Sequence, residues 1–261
     1  MNPTLRIAID AAIEGAKEIM SVYNHFDGQV EYKEDSSPLT EADKRSHNAI
    51  VKVLSSTNIP VLSEEGRDIA YDERKKWDYF WLIDPLDGTK EFIKRNDEFT
   101  VNIALIHNHL PEMGVVVLPV KNELYFADVP ISQASYLSLE NLVMPPDDLL
   151  AQAVRLPVTE SRPYRIVGSR SHMNEETENF ISVIRQEHPD AEIISAGSSL
   201  KICMVAHGKA DIYPRFGPTM EWDTAAGHAI VLGAGKTIVK TDGTPLVYNK
   251  ENLLNPYFIV R

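Results

Sequence analysis

Between Tyr79 and Thr89 the chain reads Tyr-Phe-Trp-Leu-Ile-Asp-Pro-Leu-Asp-Gly-Thr, and this run constrains the fold more tightly than any other stretch. Its apolar beginning is too short for a helix and belongs in a strand buried on both faces. Asp84 and Asp87 follow at once, so a buried sheet has to open there onto water or cations. Pro85 restricts the backbone, and Gly88 admits a turn or the close approach of a ligand. Taken alone, the two aspartates fit an Asx-type turn with solvated carboxylates as well as they fit a site.

The neighbouring segments say what such a strand packs against. Ile9, Ala12, Ile13, Ala16, Met20 and Tyr23 fall at helical spacing and predict an amphipathic helix over residues 3–23. Thr40-Glu41-Ala42-Asp43 has the form of a capping box, and Ile50, Val51 and Leu54 continue one face of the helix it would start. Phe99, Val101, Ile103 and Leu105 alternate with smaller or polar residues, the pattern of a half-buried strand. Gly114–Leu118 and Glu123–Ala127 flank Lys121-Asn122 as a hairpin. The second half alternates instead: strand (164–167), helix (174–186), strand (192–195), helix (198–207), strand (210–213), helix (223–233). Helices on an antiparallel sheet, followed by an α/β portion with a mixed or parallel sheet, is the expected order. The polar, Pro-containing stretch 128–162 is the expected seam, dividing residues 1–130 from 131–261.

Two further acidic places bear on Asp84 and Asp87. Glu64 and Glu65 follow the apolar Ile59-Pro60-Val61-Leu62, again at the end of a strand, although a solvated loop would read the same way. Asp223 lies in the first turn of a small-residue helix, Trp222-Asp-Thr-Ala-Ala-Gly227, where an aspartate is also an ordinary N-terminal cap. Carboxylates unaccompanied by a Cys or His cluster suit Mg²⁺ or Mn²⁺ rather than Zn²⁺. Two such ions roughly 3.5–4 Å apart clamp a phosphoryl group and lower the pKa of a bound water.

Charge points the same way. The 261 residues carry a formal net charge of −12, which argues against a nucleic-acid polymer or an anionic membrane as the main partner. A chain so acidic that handles an anion needs local positive charge, and bound metal supplies it. No segment reaches the roughly 18 apolar residues of a membrane span, and Asp10 and Glu14 interrupt the N-terminal apolar stretch, unlike a signal peptide. The single cysteine, Cys203, sits in the apolar run Ile-Cys-Met-Val-Ala and reads as a small core residue, consistent with a reducing cytoplasm. His107-Asn108-His109 reads as a hairpin turn rather than a nuclease motif. Gly235-Lys236-Thr237 ends like a P-loop, but residue 230 is Ile where that motif needs glycine, and the segment follows a helix. There is neither a GxSxG elbow nor a zinc-type His/Cys cluster.

Leu62-Ser-Glu-Glu65, Asp84-Pro-Leu-Asp-Gly-Thr89 and Trp222-Asp-Thr-Ala-Ala-Gly227, in that order, resemble the motifs of the inositol monophosphatase superfamily of Mg²⁺-dependent, lithium-sensitive phosphatases. The resemblance runs over nearly the whole chain and implies a layered αβαβα sandwich of the sugar-phosphatase type. Lys90-Glu-Phe92, Glu98-Phe-Thr-Val-Asn-Ile-Ala104, Ser169-Arg-Ser-His172, Gly197-Ser-Ser-Leu-Lys201 and Tyr213-Pro-Arg-Phe-Gly-Pro218 are similar to the CysQ-type 3′(2′),5′-bisphosphate nucleotidase branch. One departure is Asp97, where relatives tend to carry glycine.

The resemblance implies roles for individual residues. Glu64, Asp84 and the Leu86 carbonyl would bind one Mg²⁺; Asp84, Asp87 and Asp223 a second; a third, weaker ion would lie near Glu64. Thr89, hydrogen-bonded to Asp43, would orient the attacking water, with Glu64 beside it, and the Gly88 and Thr89 N–H groups would hold the phosphate. Asp43 keeps its capping role in either case. The implied mechanism is direct in-line attack by a metal-activated water, with no covalent phosphoenzyme. Arg170, His172, Lys201 and Arg215 are the candidates for a second phosphate and an adenine ring, each equally readable as a surface charge. The implied substrate is adenosine 3′,5′-bisphosphate, a by-product of sulfate assimilation, cleaved to AMP and phosphate. A cytoplasmic monomer or homodimer fits the resemblance, as does loose attachment to the cytoplasmic face of the inner membrane.

Three alternatives remain at this level. An inositol or sugar phosphatase would share every metal ligand and differ in the pocket. A glycosyl or prenyl transferase could use the aspartate pair on a diphosphate, but it would need neither the Asp-Gly-Thr turn nor the later Trp-Asp. A non-catalytic metal- or phosphate-binding protein would need no water-orienting pair of the Thr89–Asp43 kind.

Overall fold

The computed structural model describes residues 1–26, 28–33, 38–169 and 174–261. Helix α1 (Pro3–Tyr23) starts where Asn2 accepts the N–H of Thr4 and Pro3 takes the first helical position. After the short pair β1 (Glu31–Tyr32) and β2 (Pro38–Leu39), α2 (Glu41–Leu54) begins with the expected capping box. Asp43 accepts the Thr40 N–H at 2.7 Å, while Thr40 Oγ1 accepts the Ala42 N–H at 3.2 Å. Then follow β3 (Val61–Ser63), α3 (Tyr71–Arg74), β4 (Tyr79–Asp87), α4 (Thr89–Lys94), β5 (Thr100–His107), β6 (Leu110–Leu118), β7 (Glu123–Asp128), β8 (Gln133–Ser138), α5 (Asp147–Ala151) and β9 (Val154–Arg155).

Strands β3 to β9 form one seven-stranded sheet in sequence order. Every neighbouring pair is antiparallel except β3–β4, which is parallel, so the expected antiparallel sheet is mixed at one edge. Through β8 and β9 this sheet continues to Arg155. The hairpin at His107 closes on two residues, Asn108 and His109, with φ of 49° and 67°, the left-handed pair a type I′ turn requires.

The strand at 100–107 is not half-buried. Thr100 to Ile106 are all buried, because a helical layer covers each face of the sheet. On one face Trp81, Ile83, Val101, Ile103, Val115 and Val117 pack against α1 and α2. On the other, Phe80, Leu82, Ala104, Ile106, Val116 and Tyr125 meet the second half of the chain. The small and polar members of the alternation thus face helices, not water. Each fully buried aliphatic side chain contributes roughly 1.5–3 kcal/mol.

The second half supplies β10 (Arg165–Ser169), α6 (Glu175–Glu187), β11 (Glu192–Ala196), α7 (Leu200–His207), β12 (Tyr213–Arg215), α8 (Glu221–Gly233), β13 (Ile238–Lys240) and β14 (Phe258–Val260). β10 and β11 pair in parallel, β14 lies antiparallel between β12 and β13, and an Ile166–Ile212 bridge joins the two groups into a mixed sheet. The strand expected at 210–213 begins later, at Tyr213, with only Ile212 bridged before it. Helices α7 and α8 lie between the two sheets, in the core that also holds Val167, Tyr213, Phe258 and Val260. Ile181 of α6, with Ile166, Ala191 and Ile212, covers the outer face of the second sheet. The layers therefore run helix, sheet, helix, sheet, helix: the αβαβα sandwich. The central contact is close: a Cβ on Gly114 of β6 would lie 2.3 Å from the Ala226 carbonyl oxygen of α8. Cys203 is fully buried in this layer, as expected.

Asp97, the departure noted above, sits at φ 66° in the left-handed region that glycine occupies most easily. Its carboxylate accepts a 2.7 Å hydrogen bond from the Tyr23 hydroxyl at the end of α1, which ties down the loop between α4 and β5.

Candidate active site

Strand β4 does not end at Asp84. It runs on to Asp87 through a bulge, with Asp84 opposite Asn102 and Asp87 opposite Thr100, three steps against two. The extra residue lets two aspartates three apart share one end of the sheet, where strict pleating would send them to opposite faces. Gly88 then turns the chain at φ 96° into α4, with the Glu98 carbonyl and Phe99 Cα 3.4 Å from where a Cβ would be.

The parallel β3–β4 pairing brings in the third carboxylate. Ser63 pairs with Ile83, and the Glu64 N–H donates to the Ile83 carbonyl at 3.2 Å, so Glu64 emerges beside Asp84. The fourth comes from the far half: Asp223, in the first turn of α8, accepts the Met220 N–H at 2.8 Å and is a helix cap as well. Ligand oxygens of Glu64, Asp84 and Asp223 all lie within 4.8 Å of one another. Asp87 stands beside this trio, its Oδ2 accepting the Ser199 N–H at 2.6 Å and a longer 3.4 Å bond from Asn102. Leu86, between the aspartates, is buried, and its carbonyl accepts a long 3.4 Å bond from Thr89.

Such a group is costly as it stands. Burial pushes the Asp84 carboxyl well above the usual range, and the charges of Glu64, Asp87 and Asp223 push it further. Asp223 moves the same way, by burial and then by Asp87 and Glu64. Burial takes Asp87 up to about 6, held back by the Lys201 ammonium and the Ser199 N–H. Lys33 binds Glu64 at 2.8 Å and also Glu65. Burial disfavours its charge, but the two carboxylates outweigh burial and hold its pKa above the normal lysine value. Converging carboxylates, Asp84 buried and the others half-buried, with an all-oxygen donor set fit a hard divalent cation such as Mg²⁺, the charge this arrangement lacks.

Asp43 and Thr89 meet, with Thr89 Oγ1 donating to Asp43 Oδ1 at 3.1 Å. The other carboxylate oxygen, Oδ2, takes the Thr40 N–H and hydroxyl at 2.7 and 2.6 Å. Asp43 is therefore a helix cap through Oδ2 and meets Thr89 through Oδ1, one oxygen each. Burial raises its pKa, partly offset by the Thr40 and Thr89 bonds.

A cavity of about 140 Å³ adjoins the carboxylates, lined among others by Asp87, Glu98, Ser198, Lys201, Arg215 and Asp223. Lys201 is buried rather than a surface charge, donating to the carbonyls of Ser198 at 2.7 Å and Ala196 at 3.3 Å. Burial draws its pKa down to about 8, against the opposing pull of Asp87. Arg215 donates to the Pro218 carbonyl at 2.8 Å, and its Nε is buried without a hydrogen-bond partner among the described residues. Arg170 and His172 lie outside the described residues.

Several members of the site were given no individual role in the sequence, although Thr100, Asn102, Ser198 and Ser199 lie in the segments quoted for the resemblance. Thr100, Asn102 and Ser199 form a buried hydroxyl–amide chain, with Ser199 Oγ donating to Asn102 Oδ1 at 2.7 Å and 2.9 Å from Thr100 Oγ1. The available signal was polar residues at inward positions of an apolar strand. The Ser198 hydroxyl, buried without a partner among the described residues, adjoins the flagged Lys201. Lys33 had no signal, since its role depends on where residues 28–33 pass over Glu64.

Comparison with known proteins identifies the family and the fold. The pattern that defines the inositol monophosphatase family matches residues 1–257. The 3′(2′),5′-bisphosphate nucleotidase CysQ of Salmonella typhimurium is 43% identical over 249 residues, 93% of each chain. The crystal structure of CysQ from Bacteroides thetaiotaomicron, a bacterial member of the inositol monophosphatase family, superimposes with a TM-score of 0.90 at 50% identity, covering 98% of this chain and 95% of that one. The extragenic suppressor protein SuhB of Bartonella henselae, at 22% identity and a TM-score of 0.75 over 99% of this chain and 93% of its own, shares the fold.

Proposed function

The chain belongs to the inositol monophosphatase family, and from that premise we propose that it is a Mg²⁺-dependent 3′(2′),5′-bisphosphate nucleotidase acting on adenosine 3′,5′-bisphosphate in the cytoplasm. The observation that carries the reading is the convergence of Glu64, Asp84 and Asp223 beside a bonded Asp43–Thr89 pair. Glu64, Asp84 and the Leu86 carbonyl would hold one ion, Asp84, Asp87 and Asp223 another, with room for a third near Glu64. Bound there, the ions supply positive charge to the phosphoryl oxygens and lower the pKa of a water.

The chain's own residues do the rest. Thr89 donates its hydroxyl hydrogen bond to Asp43, so its lone pairs are left to accept a hydrogen bond from a water, aiming that water's oxygen at phosphorus. Asp43 is held by Thr40 and cannot swing away. The Gly88 and Thr89 N–H groups, at the start of α4, are donors for phosphoryl oxygens. Lys201, Arg215 and the Ser198 hydroxyl, which has no partner among the described residues, supply donors for a second phosphate in the adjoining cavity. AMP and phosphate are the products, which places the enzyme downstream of sulfate assimilation.

The test is phosphate release from adenosine 3′,5′-bisphosphate and from inositol 1-phosphate, with Mg²⁺ and with added Li⁺. Mg²⁺-dependent, Li⁺-inhibited release with preference for the bisphosphate is the expected result. Preference for inositol phosphate would overturn the substrate and leave the chemistry. Failure to release phosphate from any monoester would favour a binding protein.

A further inference from the structure

Helix α2 presents Asp43, Ser46 and His47 on one face, since residues three and four apart lie one above the other. Each reaches a different segment of the site. Asp43 receives the Thr89 hydroxyl, Ser46 Oγ donates to the Pro85 carbonyl at 2.8 Å, and His47 Nδ1 lies 2.8 Å from Ser63 Oγ. Thr89 follows Asp87 and Gly88, Pro85 follows Asp84, and Ser63 precedes Glu64. One helix face thus touches the ends of β3 and β4 and the start of α4, the stretch that carries Glu64, Asp84 and Asp87. The Asp43 bond belongs to the proposed chemistry; the His47 bond has no part in it.

Ser63 closes the turn that carries Glu64. Its hydroxyl accepts the Glu65 N–H at 3.3 Å and its carbonyl accepts the Gly66 N–H at 3.1 Å. A hydroxyl has one proton and two lone pairs. With the Glu65 N–H on a lone pair, the proton is free for His47 Nδ1, which fixes the rotation of the hydroxyl. The Glu64 N–H is tied to Ile83 and its carboxylate to Lys33, so this turn sets the backbone from which the Glu64 side chain leaves.

We propose that His47, acting through Ser63, is a positioning residue that aims the Glu64 carboxylate at Asp84 and Asp223 and so sets the affinity of the site for its divalent cation. This rests on the reading that those carboxylates hold such a cation. Outer partners of metal ligands control affinity because they limit the orientations a ligand samples before the ion arrives. His47 is also a clean place to test this. It lines an open cleft of about 350 Å³ with Val51, Val61, Ile69 and Trp77, so truncation leaves no sealed void. Substituting Lys33, which binds Glu64 directly, would alter charge and geometry together.

The experiment is calorimetric titration of the full chain with Mg²⁺ for the wild type, His47→Ala, His47→Asn, His47→Gln, Ser63→Ala and the double variant His47→Ala/Ser63→Ala, with thermal unfolding of each in EDTA. His47→Ala and Ser63→Ala should each weaken Mg²⁺ binding about 10-fold, and the double variant should be no worse than either alone. kcat at saturating Mg²⁺ should stay within about twofold, because positioning is restored once the ion is bound. His47→Asn places an amide oxygen where Nδ1 stood and should recover the affinity. His47→Gln reaches instead to the Nε2 position and should not. Unchanged Mg²⁺ affinity in His47→Ala, with the wild type binding normally, would overturn the inference and leave the cation site standing. A wild type that binds no Mg²⁺ would overturn both.

Discussion

Asp43→Asn should separate two functions that a single carboxylate performs. Oδ2 accepts two donors from Thr40, its N–H at 2.7 Å and its hydroxyl at 2.6 Å, whereas Oδ1 accepts the Thr89 hydroxyl at 3.1 Å. An asparagine has to turn its carbonyl oxygen towards Thr40, since an amide NH₂ there would face two donors. The NH₂ group then faces Thr89, which can no longer donate and has to rotate. For stability, two charge-assisted bonds become neutral ones at a cost of about 1 kcal/mol each. Against that, a carboxylate that is 1% exposed and disfavoured by burial is no longer charged. The net change should lie within about 1–2 kcal/mol, a Tm shift of a few degrees for a chain of this size. Turnover should fall by about 10²–10⁴, the range for loss of a positioned proton acceptor. Asp43→Ala should lose turnover as well, but also the cap, about 1 kcal/mol more. Calorimetry alongside phosphate release at saturating Mg²⁺ reads both effects. Asp43→Asn turnover within tenfold of wild type would refute the assignment of the Asp43–Thr89 pair to the attacking water.

Three further outcomes follow from the same geometry. Asp87→Asn should abolish turnover without unfolding the chain, because an amide oxygen can still accept the Ser199 N–H while one of the three carboxylates assigned to the second ion loses its charge; near-normal activity would remove the second ion's assignment. In EDTA, the raised folded pKa values of Asp84, Asp87 and Asp223 favour the protonated fold. Stability is therefore greatest below the unfolded carboxylate range near about 4, and it is lost as pH rises through the folded values, about 6 for Asp87. Tm in EDTA should fall over that window and Mg²⁺ should restore it at neutral pH more than at acid pH, whereas a Tm independent of pH and of Mg²⁺ would contradict the buried cluster. Lys201, drawn down to about 8, loses its charge as pH rises past that value. KM for the bisphosphate should increase there, and Lys201→Met should raise KM about tenfold at neutral pH while flattening the profile; an unchanged KM would take Lys201 out of substrate binding.

Most of the framework was legible in advance because periodicity is local. Helix α1 follows its apolar spacing from Pro3 to Tyr23, and Thr40 caps α2 as its capping box requires. The second-half helices and strands fall within a few residues of their expected places, since each is bounded by turn chemistry in its own segment. The failures are places where a distant element decides. Thr100, Asn102 and Ala104 look like a solvent face until α7 and α8 cover them. The bulge between Asp84 and Asp87 depends on the partner strand, Asn102 opposite one and Thr100 opposite the other.

The same division holds at the site. The sequence by itself determined which residue types were available: acidic oxygens ending apolar strands, a capping aspartate on each of two helices, and a threonine after a glycine turn. Those are properties of short segments, and short-range sterics and hydrogen bonding act on them directly. Only the tertiary structure decided that Glu64 and Asp84 emerge side by side, through one parallel strand pair, and that Asp223 reaches them from more than a hundred residues away in sequence. It also decided that Lys201 is buried, that Lys33 covers Glu64, and that α2 turns three side chains towards the ends of β3 and β4 and the start of α4. The reason is physical: Coulomb and hydrogen-bond energies depend on distance in space and on exclusion of water, and neither exists until the layers have closed.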